Sequence, residues 1–181
     1  MEPWTIWLTG LPGSGKTAIA KRLCAKLHNR GVHSQILSTD GLRKVMTPSP
    51  TYSEDERERV YATVVYIANI LNQNRVNVII DGTGNRRKYR DLARRELKKF
   101  VLVYVRCPLE ACIAREKRRA KWSEAPTEIY EKAFDGRSTT VPGINVPYEE
   151  PLDAEIVVDS NLTGASECAE EILRQLWNRF F

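Results

Sequence analysis

The sequence is poor in the residues that build metal centres and disulfide frameworks. It has four cysteines, Cys24, Cys107, Cys112 and Cys168, and no two of them form a Cys-x-x-Cys pair. Two histidines, His28 and His33, are all that could complete a zinc site with them, so no structural zinc is expected. Cys24 and Cys168 fall on the apolar faces of helical patterns, where a thiol is ordinarily a core residue. A reducing, cytoplasmic setting is therefore the expectation. No apolar run approaches the ~20 residues of a membrane span. The start, Met1-Glu2-Pro3, is acidic and runs almost directly into a strand pattern, unlike a secretory leader. Internal repeats and low-complexity stretches are also missing.

What is present is a balanced globular composition. The 181 residues are 42% hydrophobic and 28% charged, which suits one domain over 1–181 with a sizeable core. Lys and Arg number 28 against 23 acidic residues, a formal net charge of +5. That excess suits an anionic ligand, whether a nucleotide or a nucleic acid, and equally suits a solvated basic surface.

Apolar stretches of strand length alternate with helical patterns. Strands are predicted at 4–9, 34–38, 76–80, 100–105 and 156–158, the third of them nearly all β-branched. Helices are predicted at 18–30, with Gly31 as its stop, and from Ser53 onward, where Ser53-Glu54-Asp55-Glu56 has capping-box spacing. That second helix should bury Val60, Val64, Ile67, Ala68 and Leu71. Further helices are expected at 87–99, from Pro108 to about 118, at 128–133, and at the end, where Ala165 to Trp177 repeat at helical spacing. The alternation predicts an α/β three-layer sandwich, a five-stranded parallel sheet flanked by helices. Residues 115–151 break the rhythm with Pro126, Pro142, Pro147 and Pro151, and read as a lid.

The strongest motif is Gly10-Leu11-Pro12-Gly13-Ser14-Gly15-Lys16-Thr17, which fits G-x-x-x-x-G-K-[ST] between a predicted strand and a predicted helix. Its glycines let successive backbone N–H groups turn inward onto phosphate oxygens, and the helix N-terminus adds positive potential. Lys16 can reach the outer phosphates, and the Thr17 hydroxyl can ligand Mg²⁺. No Asn-Lys-x-Asp signature of guanine-specific phosphate-loop proteins is present, so ATP is the expected nucleotide.

Several segments together resemble the adenylylsulfate kinases, from about residue 5 to residue 160. They are Ile6-Trp7-Leu8-Thr9-Gly10-Leu11, then Leu37-Ser38-Thr39-Asp40-Gly41-Leu42-Arg43, Tyr52-Ser53-Glu54-Asp55-Glu56-Arg57, and Cys107-Pro108-Leu109-Glu110-Ala111-Cys112 with Arg115. The most specific are Tyr130-Glu131-Lys132-Ala133 and Pro142-Gly143-Ile144-Asn145-Val146-Pro147-Tyr148-Glu149-Glu150-Pro151. The resemblance implies a P-loop kinase fold and ATP-dependent phosphorylation of the 3′-hydroxyl of adenylylsulfate. Four places depart from the family pattern. Ser38 replaces an Asp, Val60 an Asn and Val141 a stacking Phe, and Asp81-Gly82-Thr83-Gly84-Asn85-Arg86-Arg87 stands where the family has Ile-Ser-Pro. A kinase of another nucleotide, small molecule or polynucleotide end stays open as an alternative, as does a non-kinase nucleotide switch.

Candidate roles follow. Asp40, read as the end of a strand, would deprotonate the acceptor hydroxyl or hold a Mg²⁺-bound water; a turn-forming Asp before Gly41 is the competing reading. Asp81, closing an apolar strand, is a second Mg²⁺-side carboxylate or an ordinary Asp-Gly turn. The resemblance implies substrate contacts at Arg43, Arg57, Lys132, Ile144 and Tyr148. Arg115, Arg118 and Arg119 open the lid, where one can stabilise the transferred phosphate, or simply answer the helix dipole. Arg86 and Arg87 have no assigned role. A nucleic-acid substrate would need stacking aromatics, for which Tyr52, Tyr89, Trp122 and Tyr148 are available. Trp177, Phe180 and Phe181 are core residues or a homodimer contact.

Overall fold

In the computed structural model, which describes residues 2–47, 49–118 and 126–180, strand and helix alternate as the pattern requires. The order is β1 (Thr5–Thr9), α1 (Lys16–His28), β2 (Ser34–Ser38), α2 (Thr39–Met46), α3 (Glu54–Gln73), β3 (Asn77–Asp81), α4 (Arg87–Glu96), β4 (Phe100–Arg106), α5 (Leu109–Lys117), α6 (Ile129–Phe134), β5 (Ile156–Asp159) and α7 (Ala165–Phe180). These strands pair in parallel in the order β2-β3-β1-β4-β5. Helices cover both faces, so the expected five-stranded sandwich is the observed one.

Alternation along β1 builds both layers. Ile6 and Leu8 point to one face, where α1 and α7 close a core with Leu23, Ile172 and Leu176. Trp7 points to the other face and packs against Tyr61, Val64 and Ala93 of α3 and α4. Every residue of β1 is buried, as a central strand covered on both sides requires. A third, smaller core joins Cys107, Cys112, Tyr130, Ala133 and Val141 to Leu11 and Ile144. It packs α5, α6 and the 141–146 turn against the loop that follows β1.

The sequence pattern shows no helix between β2 and α3, yet α2 is one. Ser38 caps it, its Oγ accepting from the Gly41 amide at 3.1 Å, and buried Thr39 and Arg43 anchor it. Asp40 therefore stands in the first turn of a helix, just past β2, instead of ending a strand. The capping box at Ser53 forms by half. Ser53 Oγ accepts from the Glu56 amide at 3.3 Å, but the Glu56 carboxylate accepts from the amides of Thr51 and Tyr52 at 2.6 and 3.0 Å. Its other oxygen is held by buried Arg43. Elsewhere the differences are of boundary and depth. α1 starts at Lys16 itself, α4 stops at Glu96, and Ile67 and Leu71 of α3 are only half-buried while Tyr61 and Val65 go deeper.

All four cysteines are free thiols. Phe180 stacks on Trp4 with ring centroids 6.1 Å apart, Trp177 is exposed, and Phe181 lies outside the described residues, as do Arg119 and Trp122. Among the described residues no helix is long and apolar enough to cross a membrane.

Candidate active site

β1 lies between β3 and β4, so the connections leaving the two halves of the sheet diverge above its carboxyl end. Open α/β sheets bind ligands at such a point. The glycine loop sits there. Gly13 and Gly15 take φ of +82° and +95°, and a Cβ on Gly13 would lie 2.5 Å from the Cys112 carbonyl oxygen. Glycine alone fits that position without strain. Lys16 is nearly buried, and its Nζ donates to the carbonyls of Gly10 and Leu11 at 3.0 and 2.9 Å. These bonds curl the loop over the N-terminus of α1, where backbone N–H groups and the helix dipole favour an anion.

The loop is braced from behind. The Ser160 hydroxyl donates to the Ser14 carbonyl at 2.8 Å, and Arg115 donates to the Ser160 carbonyl and hydroxyl at 2.6 and 3.1 Å. From α6, the Tyr130 hydroxyl donates to the Pro12 carbonyl at 2.7 Å. Cys112, against the same loop, is fully buried, and that burial pushes its thiol well above the ordinary value, as suits a packing group.

A cavity of about 670 Å³ opens at this loop. It gathers Pro12, Gly13, Gly15, Lys16 and Thr17 with Asp40, Asp81, Arg43, Arg57, Arg115 and Lys132, residues that lie far apart in the chain. Thr17 is exposed and Asp81 buried. Tyr52 lines the wall with the Arg43 and Arg57 guanidinium carbons 4.6 and 5.8 Å from its ring centre. It takes a left-handed φ of +55°, a costly backbone state for an aromatic residue. Burial raises its phenol above the ordinary value, so Tyr52 is neutral. Burial also lowers Arg57 below the ordinary arginine value, which at that starting point leaves it charged.

Other expected site residues lie outside the cavity lining. Gly10, Leu11 and Ser14 support the loop from outside the lining, and Arg118 caps α5 with its side chain exposed. Ile144 packs into the third core. Tyr148 donates to or accepts from the Thr9 hydroxyl at 3.0 Å, and burial pushes its phenol up to about 12. Of the described aromatics considered for stacking, Tyr52 lines the cavity, whereas Tyr89 is buried against Tyr61 at 4.6 Å.

Sequence reasoning missed the residues that hold the 140–151 segment. Asn85, buried, accepts from Arg57 at 3.3 Å and donates to the Pro147 carbonyl at 3.1 Å. Arg90, also buried, donates to the Thr9 hydroxyl at 3.4 Å and to the Glu149 carbonyl. Arg86 and the Arg87 amide hold the Glu149 carboxylate at 3.0 and 2.7 Å, and these bonds, led by the Arg87 amide, keep its pKa below the ordinary value. The sequence signals were the departure from the family pattern at 81–87 and the density of arginines beside it, neither of which indicates burial.

A glycine loop, a nearly buried lysine and a helix N-terminus at a sheet switch point define a class, that of the P-loop nucleotide-binding proteins. Comparison with known proteins narrows it. The family model for adenylylsulphate kinase matches residues 2–159. A probable adenylyl-sulfate kinase of Pyrococcus abyssi is 37% identical over 97% of this chain and 95% of its own. One from Archaeoglobus fulgidus is 37% identical over 87% of this chain and 96% of its own. The structure of the Mycobacterium tuberculosis APS kinase CysC in complex with AMPPNP and APS superposes with a TM-score of 0.86 at 26% identity, covering 97% of this chain and 98% of that one. The chain belongs to the adenylylsulphate kinase family and is a kinase.

Proposed function

We propose that this kinase transfers the terminal phosphoryl group of ATP to the 3′-hydroxyl of adenylylsulfate. The observation that carries the reading is the composition of one cavity. A phosphate loop with Lys16 and Thr17 shares it with a carboxylate, Asp40, and two arginines, Arg43 and Arg57, flanking Tyr52. The loop suits the nucleotide's phosphates. Planar guanidinium groups suit a sulfate or phosphate, and an aromatic ring suits a base. Relatives named adenylyl-sulfate kinase, and a neighbour whose structure holds AMPPNP and APS, support the same pair of substrates.

Lys16 would hold the outer phosphates and meet the charge that grows on the transferred group. Asp40 would orient the acceptor hydroxyl and take its proton. The acceptor oxygen then bonds to the γ-phosphorus as the bond from that phosphorus to the bridging oxygen breaks, and ADP leaves with the electron pair. Arg43 and Arg57 would fix the anionic end of the acceptor, and Lys132, whose Nζ donates to the Thr127 carbonyl at 3.1 Å, would close over it from α6. The donor set suits Mg²⁺: the exposed Thr17 hydroxyl and the Asp40 and Asp81 carboxylates, all hard oxygens, face one cavity. Among the described residues no cluster of three or more His, Cys, Asp or Glu offers a competing cage. When bound with ATP, Mg²⁺ neutralises phosphate charge.

Residues 126–151 would act as a lid that excludes water once both substrates are in place. Ser38, which replaces a family aspartate, still supplies the cap oxygen that α2 needs. The test is ADP release from ATP and Mg²⁺ with and without adenylylsulfate, with the product weighed by mass spectrometry. Acceptor-dependent release and a 3′-phosphorylated product are expected. Equal release in both cases would remove adenylylsulfate as the acceptor and leave the phosphate site standing.

A further inference from the structure

We propose that Asn85 is a positioning residue that sets the acceptor side of the cavity through Arg57; this rests on the reading of Arg57 as an acceptor contact. Asn85 stands between β3 and α4 and is 2% exposed. A carboxamide buried that deeply must satisfy both its oxygen and its nitrogen, and it does so across two elements. Oδ1 accepts from an Arg57 terminal nitrogen of α3 at 3.3 Å. Nδ2 donates to the Pro147 carbonyl at 3.1 Å. The Asn85 carbonyl accepts from the Glu149 amide at 2.8 Å.

Arg57 repeats the connection from its own side. It donates to the Thr140 carbonyl at 2.6 Å and to the Tyr52 carbonyl at 2.9 Å. The bonds close a ring that runs from Arg57 through Asn85 to residues 147–149 and back through Thr140. A free arginine side chain loses considerable rotamer freedom when it binds an anion. Here these bonds remove that freedom beforehand, and they use three of the five guanidinium N–H donors, leaving one on each terminal nitrogen for the cavity that Arg57 lines. An aspartate at this position could accept from Arg57 but could not donate to Pro147, and its charge would cancel the positive field that an anionic acceptor meets. The carboxamide serves both bonds and leaves the charge of Arg57 intact.

The test is steady-state kinetics with ATP and adenylylsulfate for the wild type, Asn85→Ala, Arg57→Ala and the double variant, alongside their melting temperatures. Asn85→Ala should raise the KM for adenylylsulfate about tenfold and leave the KM for ATP within about twofold. The double variant should be no worse than Arg57→Ala alone, because both changes remove one device. Multiplied effects in the double variant, or equal rises in both KM values, would overturn the proposal and make Asn85 a structural residue. An unchanged adenylylsulfate KM in Arg57→Ala would instead overturn the acceptor reading of Arg57. Should Asn85→Ala be too unstable to purify, Asn85→Ser, which keeps a hydroxyl for one of the two neighbours, is read by the same comparisons.

Discussion

Replacing Glu56 by glutamine changes almost no volume and removes one charge, and it should lower the melting temperature by roughly 6–12 °C. Glu56 and Arg43 are 9% and 5% exposed and form an ion pair. One carboxylate oxygen serves Arg43. The other accepts from the Thr51 amide and hydroxyl at 2.6 and 2.8 Å and from the Tyr52 amide at 3.0 Å. Glutamine has one oxygen, so its NH₂ must face either a guanidinium or a set of N–H and O–H donors. Breaking a buried pair on one side costs about 3–5 kcal/mol; with glutamine keeping one set of bonds, the lower figure, about 3 kcal/mol, is appropriate. For a chain of this length each kcal/mol moves the midpoint by about 2–4 °C. The pH dependence supplies the second half of the check. Burial opposes ionisation of Glu56, but the bonds from Thr51, the charge of Arg43 and the Tyr52 amide outweigh it and hold the group below its ordinary 4.5. A depressed carboxylate stabilises the fold above its unfolded pKa and loses that contribution as pH falls through the folded one. The gap between wild type and variant should be full at pH 7 and should narrow as the pH drops below 4.5. Thermal unfolding by circular dichroism across that range reads both effects. A midpoint within roughly 2 °C of wild type at pH 7, or a gap that ignores pH, would refute the assigned partnership.

Lys16→Ala should lower turnover by about 10³-fold or more, because on the proposed reading the ammonium would meet charge on the transferred group; near-normal ADP release would reject the phosphate site. Asp40→Asn should cut kcat by about 10²–10⁴-fold with little change in the adenylylsulfate KM. A loss expressed in KM alone would make Asp40 a binding group. Gly13→Ala, with φ at +82° and a backbone oxygen 2.5 Å from the new Cβ, should weaken ATP binding about tenfold or more by calorimetry. Unchanged affinity would show that the loop relaxes freely.

The phosphate loop and the sheet were legible because each rests on local chemistry. Positive φ at Gly13 and Gly15 is written as glycine, and a strand covered on both faces, such as β3, is written as Val78, Ile79 and Ile80. Helix α2 was not legible, since Thr39-Asp40-Gly41 favours a turn and the element depends on the Ser38 cap and on Arg43 buried against Glu56. Burial of polar residues was the other blind spot. Arg57, Asn85 and Arg90 lie inside the protein because carbonyls of Tyr52, Thr140, Pro147 and Glu149 come to meet them, and those partners are distant in sequence. Tyr148 and Ile144, expected at the substrate, lie outside the cavity lining, Tyr148 bonded to the Thr9 hydroxyl and Ile144 packed against the third core.

The Tyr130 hydroxyl bond to Pro12 has a thermodynamic consequence. Pro12 belongs to the loop proposed to hold the nucleotide, and Tyr130 to the same short helix as Lys132, which lines the shared cavity. A displacement of α6 by the acceptor would alter the bond to Pro12, and a displacement of the loop by the nucleotide would alter it from the other end. Linkage of that kind is symmetric: whatever factor the acceptor imposes on the dissociation constant of the nucleotide, the nucleotide must impose on that of the acceptor. On the proposed reading of the site, this one hydroxyl would make the two co-substrates effectors of each other.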